Sequence, residues 1–150
     1  MVAALAEVQV VATNLGTLGQ ASAIRGPLGQ DDWRLTAAQS GQRVRNIVGI
    51  LAGNRPYYGC AMGLRADALT NGALPIPDFL RESHDLWFAL YGNIFGSIRH
   101  LDDRTVLRRL HDHNQTPMRP RALVKVLGSR LLLVRCLAIL TGRSLRRWRR

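Results

Sequence analysis

The N-terminal residues Met1 to Leu5 are apolar and lead into Glu7-Val8-Gln9-Val10-Val11-Ala12-Thr13, where valine recurs at alternate positions. Alternation with β-branched residues predicts a short strand, with Met1 to Leu5 as the end of a helix before it. Gly16 to Gly29 is rich in glycine and small side chains and predicts a loop. Asp31-Asp32-Trp33 predicts a cap for a helix starting near Arg34 and running through a polar segment to Arg45. Asn46 to Ala52 is apolar enough for either a helix or a buried strand. Tyr57 to Leu64 predicts a strand entering a helix over Arg65 to Asn71, which Pro75 and Pro77 then interrupt. Leu86, Phe88, Ala89, Leu90, Ile94 and Phe95 recur at helical spacing, predicting a helix with Ser83 or Asp85 at its N-terminus and Gly96 as its stop. Ser97 to Leu101 and Thr105 to Leu110 predict two short strands, and Asn114 to Pro120 a linker. Arg121 to Leu140 predicts a long helix with Leu, Val and Ile along one side. No internal repeat is present.

This mixture of helix and strand predicts an α/β fold. With 150 residues, 47% of them hydrophobic, the chain can bury a core of its own. No uninterrupted apolar run is long enough to span a bilayer. Met1 to Val11 contains Glu7 and lacks both a basic leader and a small-residue cleavage site, which argues against a secretory signal. Cys60 and Cys136 are far apart and lack metal-type spacing, so a reducing cytosol is expected rather than a disulfide framework.

The net charge of +11 is unevenly placed: from Met118 to Arg150 there is no Asp or Glu. Such a tail suits nucleic acid, an anionic membrane surface or phosphate-bearing substrates. Nucleic acid is supported by charge alone, without interleaved aromatics or a binding motif. A basic amphipathic segment over 121–150 fits an anionic membrane leaflet, with its apolar side in the interface and its arginines against lipid phosphates. A helix packed on the domain with a solvated basic end fits equally well.

Several short motifs fall in one order: Tyr57-Tyr58-Gly59-Cys60-Ala61-Met62, Leu74-Pro75-Ile76-Pro77, His84-Asp85-Leu86-Trp87, Gly96, Leu101-Asp102-Asp103, Arg109-Leu110-His111 and Asn114. The series resembles the acceptor-side, C-terminal half of bacterial family-2 glycosyltransferases of the GT-A type, the rhamnosyltransferase-like group. The resemblance covers roughly residues 46 to 117. It implies a partial GT-A three-layer α/β sandwich over 1–117, helix-rich, followed by a basic helical tail over 118–150. It also implies a location in the cytoplasm, peripheral to the inner face of the plasma membrane, and a part in cell-surface polysaccharide synthesis.

By the same resemblance Asp85 is the general base. An acceptor hydroxyl is a weak nucleophile near neutral pH, and a carboxylate within hydrogen-bond reach can take its proton. A helix N-terminus would keep that carboxylate ionised; taken alone, Asp85 also reads as a simple helix cap. Gly59, Cys60, His84 and Trp87 would line the acceptor side, Trp87 as an apolar wall for a sugar ring. Read alone, Trp87 suits the core and Cys60 a small buried position. Arg109 and His111 would meet the diphosphate of a nucleotide-sugar donor, with His111 also a ligand for a divalent metal, Mn²⁺ or Mg²⁺. The chain departs from the pattern at Arg108, where the family has Tyr, and at Asp112, where it often has Gly. His113 adds a competing imidazole, so that His111, Asp112 and His113 could instead form a metal cluster of their own.

The nucleotide-binding elements of such enzymes precede the matched region. Met1 to Leu5 looks like the end of the helix after their Asp-x-Asp turn, and Asp31-Asp32-Trp33 reads as a loop-to-helix cap rather than as that turn. The resemblance therefore implies a truncated or mis-started chain, or half of a split gene, with little transferase activity alone and with exposed sheet edges. The saccharide or lipid-linked acceptor and the donor sugar are not specified. Competing readings are a non-catalytic glycosyltransferase remnant, a basic membrane- or nucleic-acid-binding protein, and a lipid-kinase-like fragment suggested by Gly53-Asn54, Tyr58-Gly59 and Met62.

Overall fold

A computed structural model describes residues 1–18, 24–109 and 123–149. The chain is an α/β protein built on a small mixed sheet. In chain order the main elements are α1 (Val2–Leu5), β1 (Val10–Thr17), α2 (Arg43–Ala52), β2 (Met62–Leu64), α3 (Ala66–Ala68), α4 (His84–Ile94), β3 (Ile98–Arg108) and α5 (Leu123–Trp148). The strand order is β2-β1-β3, with β2 antiparallel and β3 parallel to the central strand. All eight residues of β1 are buried. Helix α4 packs on β1 and β3 on one side and on α5 on the other. Its Trp87, Ala89, Leu90 and Tyr91 share one core with Val10, Ile50, Ile98, Leu133, Cys136 and Leu140.

The predicted elements are mostly present, with shifted boundaries. Asn46 to Ala52 is the second half of α2, a helix and not a strand. The predicted helix from Arg34 is absent: Leu35 has no regular structure, Thr36 is extended, a single 3₁₀ turn follows at Ala37–Gln39, and α2 begins only at Arg43. The cause is Asn14 on β1, whose Oδ1 accepts the Leu35 N–H at 2.7 Å and whose Nδ2 donates to the Leu35 carbonyl at 2.9 Å. A buried side-chain amide that satisfies both backbone groups of one residue outcompetes the weak helix propensity of the polar segment.

The two short strands predicted around Leu101 and Thr105 are one continuous strand, β3. Its pairing with β1 slips on both sides of Asn14, because Ala12 faces His100 whereas Asn14 faces Arg104 and Leu15 faces Val106. Leu101-Asp102-Asp103 therefore bulges out of the ladder. The Asn14 amide caps this bulge too, donating to the Leu101 carbonyl at 3.0 Å. Helix α4 ends as predicted, with Gly96 at φ +65° receiving the chain in a left-handed turn.

A buried polar network ties α2, α4 and β3 to the loop that carries Tyr57. The Tyr57 hydroxyl lies 2.9 Å from His100 Nε2, and the Asn93 amide donates to the same hydroxyl at 3.3 Å. The Asn46 amide donates to Asn93 Oδ1 at 3.1 Å. Burial pushes the Tyr57 phenol up to about 12 and depresses His100 to about 4, the latter with help from the Arg55 charge. Among the described residues no helix is long and apolar enough to cross a membrane.

Candidate functional site

The first turn of α4 and the Gly59–Ala61 turn meet. A Cβ at Gly59 would lie 3.6 Å from the Asp85 Cβ, in ordinary van der Waals contact, so the two residues are neighbours across the turn. Gly59 and Cys60 are both exposed, and Asp85 is half-buried beneath them. Asp85 Oδ1 accepts the Leu86 N–H at 2.8 Å. Burial holds the carboxyl above its ordinary value, against the opposing pull of the Leu86 and Gly59 amides and of His84. Helix-terminal stabilisation of the charge is thus the weaker effect here, which corrects the expectation drawn from position alone. A carboxylate whose proton affinity is raised by burial is a stronger base than an exposed one.

Ser83 precedes this turn in a left-handed conformation, φ 64° and ψ 36°, and makes no side-chain capping hydrogen bond. Asp85 and the Ser83 carbonyl, which accepts the Leu86 N–H at 3.1 Å, serve the first turn instead. A non-glycine residue held there stores about 1 kcal/mol or more of backbone strain. Ser83→Gly is expected to raise stability by up to about 1 kcal/mol in urea unfolding, because strain relief exceeds the entropy glycine adds to the unfolded chain. A fall in the midpoint would place the strain elsewhere.

The other residues of the sequence-derived set divide. His84 is exposed beside Asp85, and its charge favours the ionised carboxylate. Trp87 is fully buried, its indole N–H donating to the Ala73 carbonyl at 2.8 Å and the Arg143 guanidinium lying 5.3 Å from its ring centroid. It has no free face for a sugar, because residue 87 falls on the inward side of α4, and the role of acceptor wall is withdrawn. Cys60 is exposed, not the small buried residue that its composition alone suggests, and Cys136 is the buried thiol. Arg109 is exposed just past the end of β3. His111, with Asp112, His113 and the predicted linker, lies outside the described residues.

Arg108 was undervalued in the sequence. Val106 and Arg108 are half-buried while Leu107 and Arg109 are exposed, so strand alternation turns Arg108 inward. Its charge acts on Tyr58, whose phenol is raised by burial, and Tyr58 also feels Cys60. Trp33 meets Tyr58 edge-on, with ring centroids 6.4 Å apart. Among the described residues, the Nε of Arg108 and the Nε1 of Trp33 are buried donors without a hydrogen-bond partner. Asp85 thus borders Gly59, while Tyr58, the residue before it, packs against Trp33 and feels the Arg108 charge. Alternation over residues 106–109 was the signal for Arg108; Trp33 carried none.

Beside the start of α4 lies a cleft of about 300 Å³ lined by Phe79, Leu80, Ser83, Leu86, Arg130 and Leu133, among others. Its apolar walls come from the loop before α4 and from the inner side of α5. Among the described residues no three His, Cys, Asp or Glu side chains are placed to hold a metal ion. His111, the ligand that the resemblance implies, lies outside those residues, and no step is routed through a metal.

No family model matches this chain, and neither a curated protein nor a solved structure matches it.

Proposed function

We propose that the chain is the acceptor-side part of a glycosyltransferase of the GT-A, family-2 type, with Asp85 as the general base. The observation that carries this reading is the half-buried Asp85 carboxylate, of raised proton affinity, beneath the exposed Gly59–Cys60 turn. In the reaction, Asp85 takes the proton of an acceptor hydroxyl as that oxygen bonds to the anomeric carbon of the donor sugar. The bond from that carbon to the diphosphate breaks, and the nucleoside diphosphate leaves with the electron pair.

Two further features support the reading. Among the described residues, Arg108 Nε and Trp33 Nε1 have no partner, and they are donors of the kind a diphosphate oxygen would satisfy. Arg108 is therefore a better candidate than the exposed Arg109 for that contact. The apolar cleft beside Ser83 and Leu86 would suit an acceptor with a non-polar portion, as a lipid-linked saccharide has.

Cys60 provides the test, since it is the exposed thiol and Cys136 is buried. Saccharide and lipid-linked acceptors are to be screened for protection of Cys60 against a maleimide. An acceptor that seats a hydroxyl on Asp85 is expected to slow labelling about fivefold or more, and Asp85→Asn to abolish the protection while leaving the circular dichroism spectrum unchanged. Labelling that no acceptor slows, or protection that survives in Asp85→Asn, would sink the reading.

A further inference from the structure

Helix α5 has two apolar faces. The inner one, with Leu133, Cys136 and Leu140, completes the core. The outer one consists of Leu127, Leu131, Val134, Ala138, Thr141, Leu145 and Trp148, spaced alternately four and three residues apart, and all seven are exposed. The large members are between 48% and 88% exposed, Trp148 most of all. At 100° per residue these positions form one continuous stripe from Leu127 to Trp148, roughly 32 Å long at 1.5 Å per residue. Along one edge of the stripe, by the same spacing, lie Arg135, Arg146 and Arg149, all exposed. The Arg135 guanidinium is steadied over the Phe79 ring, 4.3 Å from its centroid.

An uncovered apolar stripe of this length needs an occupant. A second copy fits poorly. Pairing two such stripes would bring arginines together, and the sequence from Met118 to Arg150 contains no acidic residue to bridge them. A nucleic acid would meet the arginines and leave the leucines in water. An anionic bilayer meets both, since its acyl boundary accepts the apolar side chains, its headgroups accept the guanidiniums, and Trp148 has the amphipathic ring favoured at that depth.

We infer that the outer face of α5 is a docking surface for an anionic lipid bilayer, on which the helix lies flat while its inner face stays in the core. This inference stands on the α5 surface alone and is independent of the role given to Asp85.

The full chain is to be mixed with vesicles of phosphatidylcholine alone and with vesicles containing about one third phosphatidylglycerol, followed by flotation and tryptophan fluorescence. Binding is expected to the phosphatidylglycerol vesicles, with a blue shift that Trp148→Phe removes, and to weaken as salt rises. Leu131→Gln with Leu145→Gln should weaken binding about tenfold or more without altering the unfolding curve, because both side chains are exposed. Arg135→Gln, Arg146→Gln and Arg149→Gln together should remove the preference for anionic lipid. Binding indifferent to lipid charge and salt, binding unchanged by the leucine substitutions, or no binding would overturn the inference. So would a dimer in sedimentation equilibrium that the same leucine substitutions dissociate.

Discussion

Gly92→Val is expected to destabilise the protein by about 3 kcal/mol or more, enough to leave a marginal domain largely unfolded. Gly92 sits on the inward face of α4, where a Cβ would lie 2.9 Å from the Ile98 Cβ and 3.1 Å from Val10 Cβ and Cγ2. Those neighbours are β-branched residues on two paired strands and cannot rotate away. Any side chain at position 92 must push the helix off the sheet. The milder Gly92→Ala separates two effects. Helix propensity favours alanine by about 1 kcal/mol, while overpacking costs about 1–3 kcal/mol. A net loss is expected in chemical denaturation; a net gain would show that α4 has room to move.

This contact was not legible in the sequence. The pattern from Leu86 to Phe95 marks a buried helix, but a glycine within it reads as a weakness rather than as the point of closest approach. The same limit governs Trp87 and Asp85. Their adjacency on one helix turn suggested a shared site, whereas helical geometry sends residue 87 into the core and leaves residue 85 at the turn's edge. The strands around Leu101 and Thr105, the helix over residues 84–94 and the long basic helix were readable because each follows from local periodicity. The bulge at Leu101-Asp102-Asp103 and the non-helical Leu35 were not. Both depend on Asn14, a polar residue whose partners lie 21 and 87 positions away. Within the candidate site, Asp85, Gly59 and Cys60 are brought together as their motifs suggested. Trp33 came only from the fold, whereas Arg108 was open to the alternation over residues 106–109, since a one-residue offset on a strand reverses which arginine points inward.

The second large effect concerns acid. His100 is fully buried, with Nε2 against the Tyr57 hydroxyl and Nδ1 facing the Thr36 backbone without a hydrogen bond of normal geometry. Its proton affinity falls from 6.5 to about 4, chiefly because burial penalises the imidazolium. The folded state therefore binds fewer protons than the unfolded state between those values, and stability rises with pH through that window. The neutral ring's contribution is complete above pH 6.5, is lost as the pH falls towards 4, and then levels off, a change on the order of 3 kcal/mol. Urea midpoints at a series of pH values should show this slope in the native chain. His100→Gln should flatten it, whatever its own stability, because glutamine does not titrate. An equal slope in the variant would assign the acid sensitivity to carboxylates instead.

The reach of Asn14 bears on how the protein comes apart. One amide holds Leu35, in a segment with no regular structure of its own, and also holds the bulge that sets the pairing of β1 with β3. The segment cannot peel away without stripping the bulge of its cap, and the strands cannot slip without releasing the segment. A loop of this kind would ordinarily open and close independently of the rest. Here its opening is bound to the breakdown of the sheet itself, so the corner built on Asn14 and the pairing of β1 with β3 yield together.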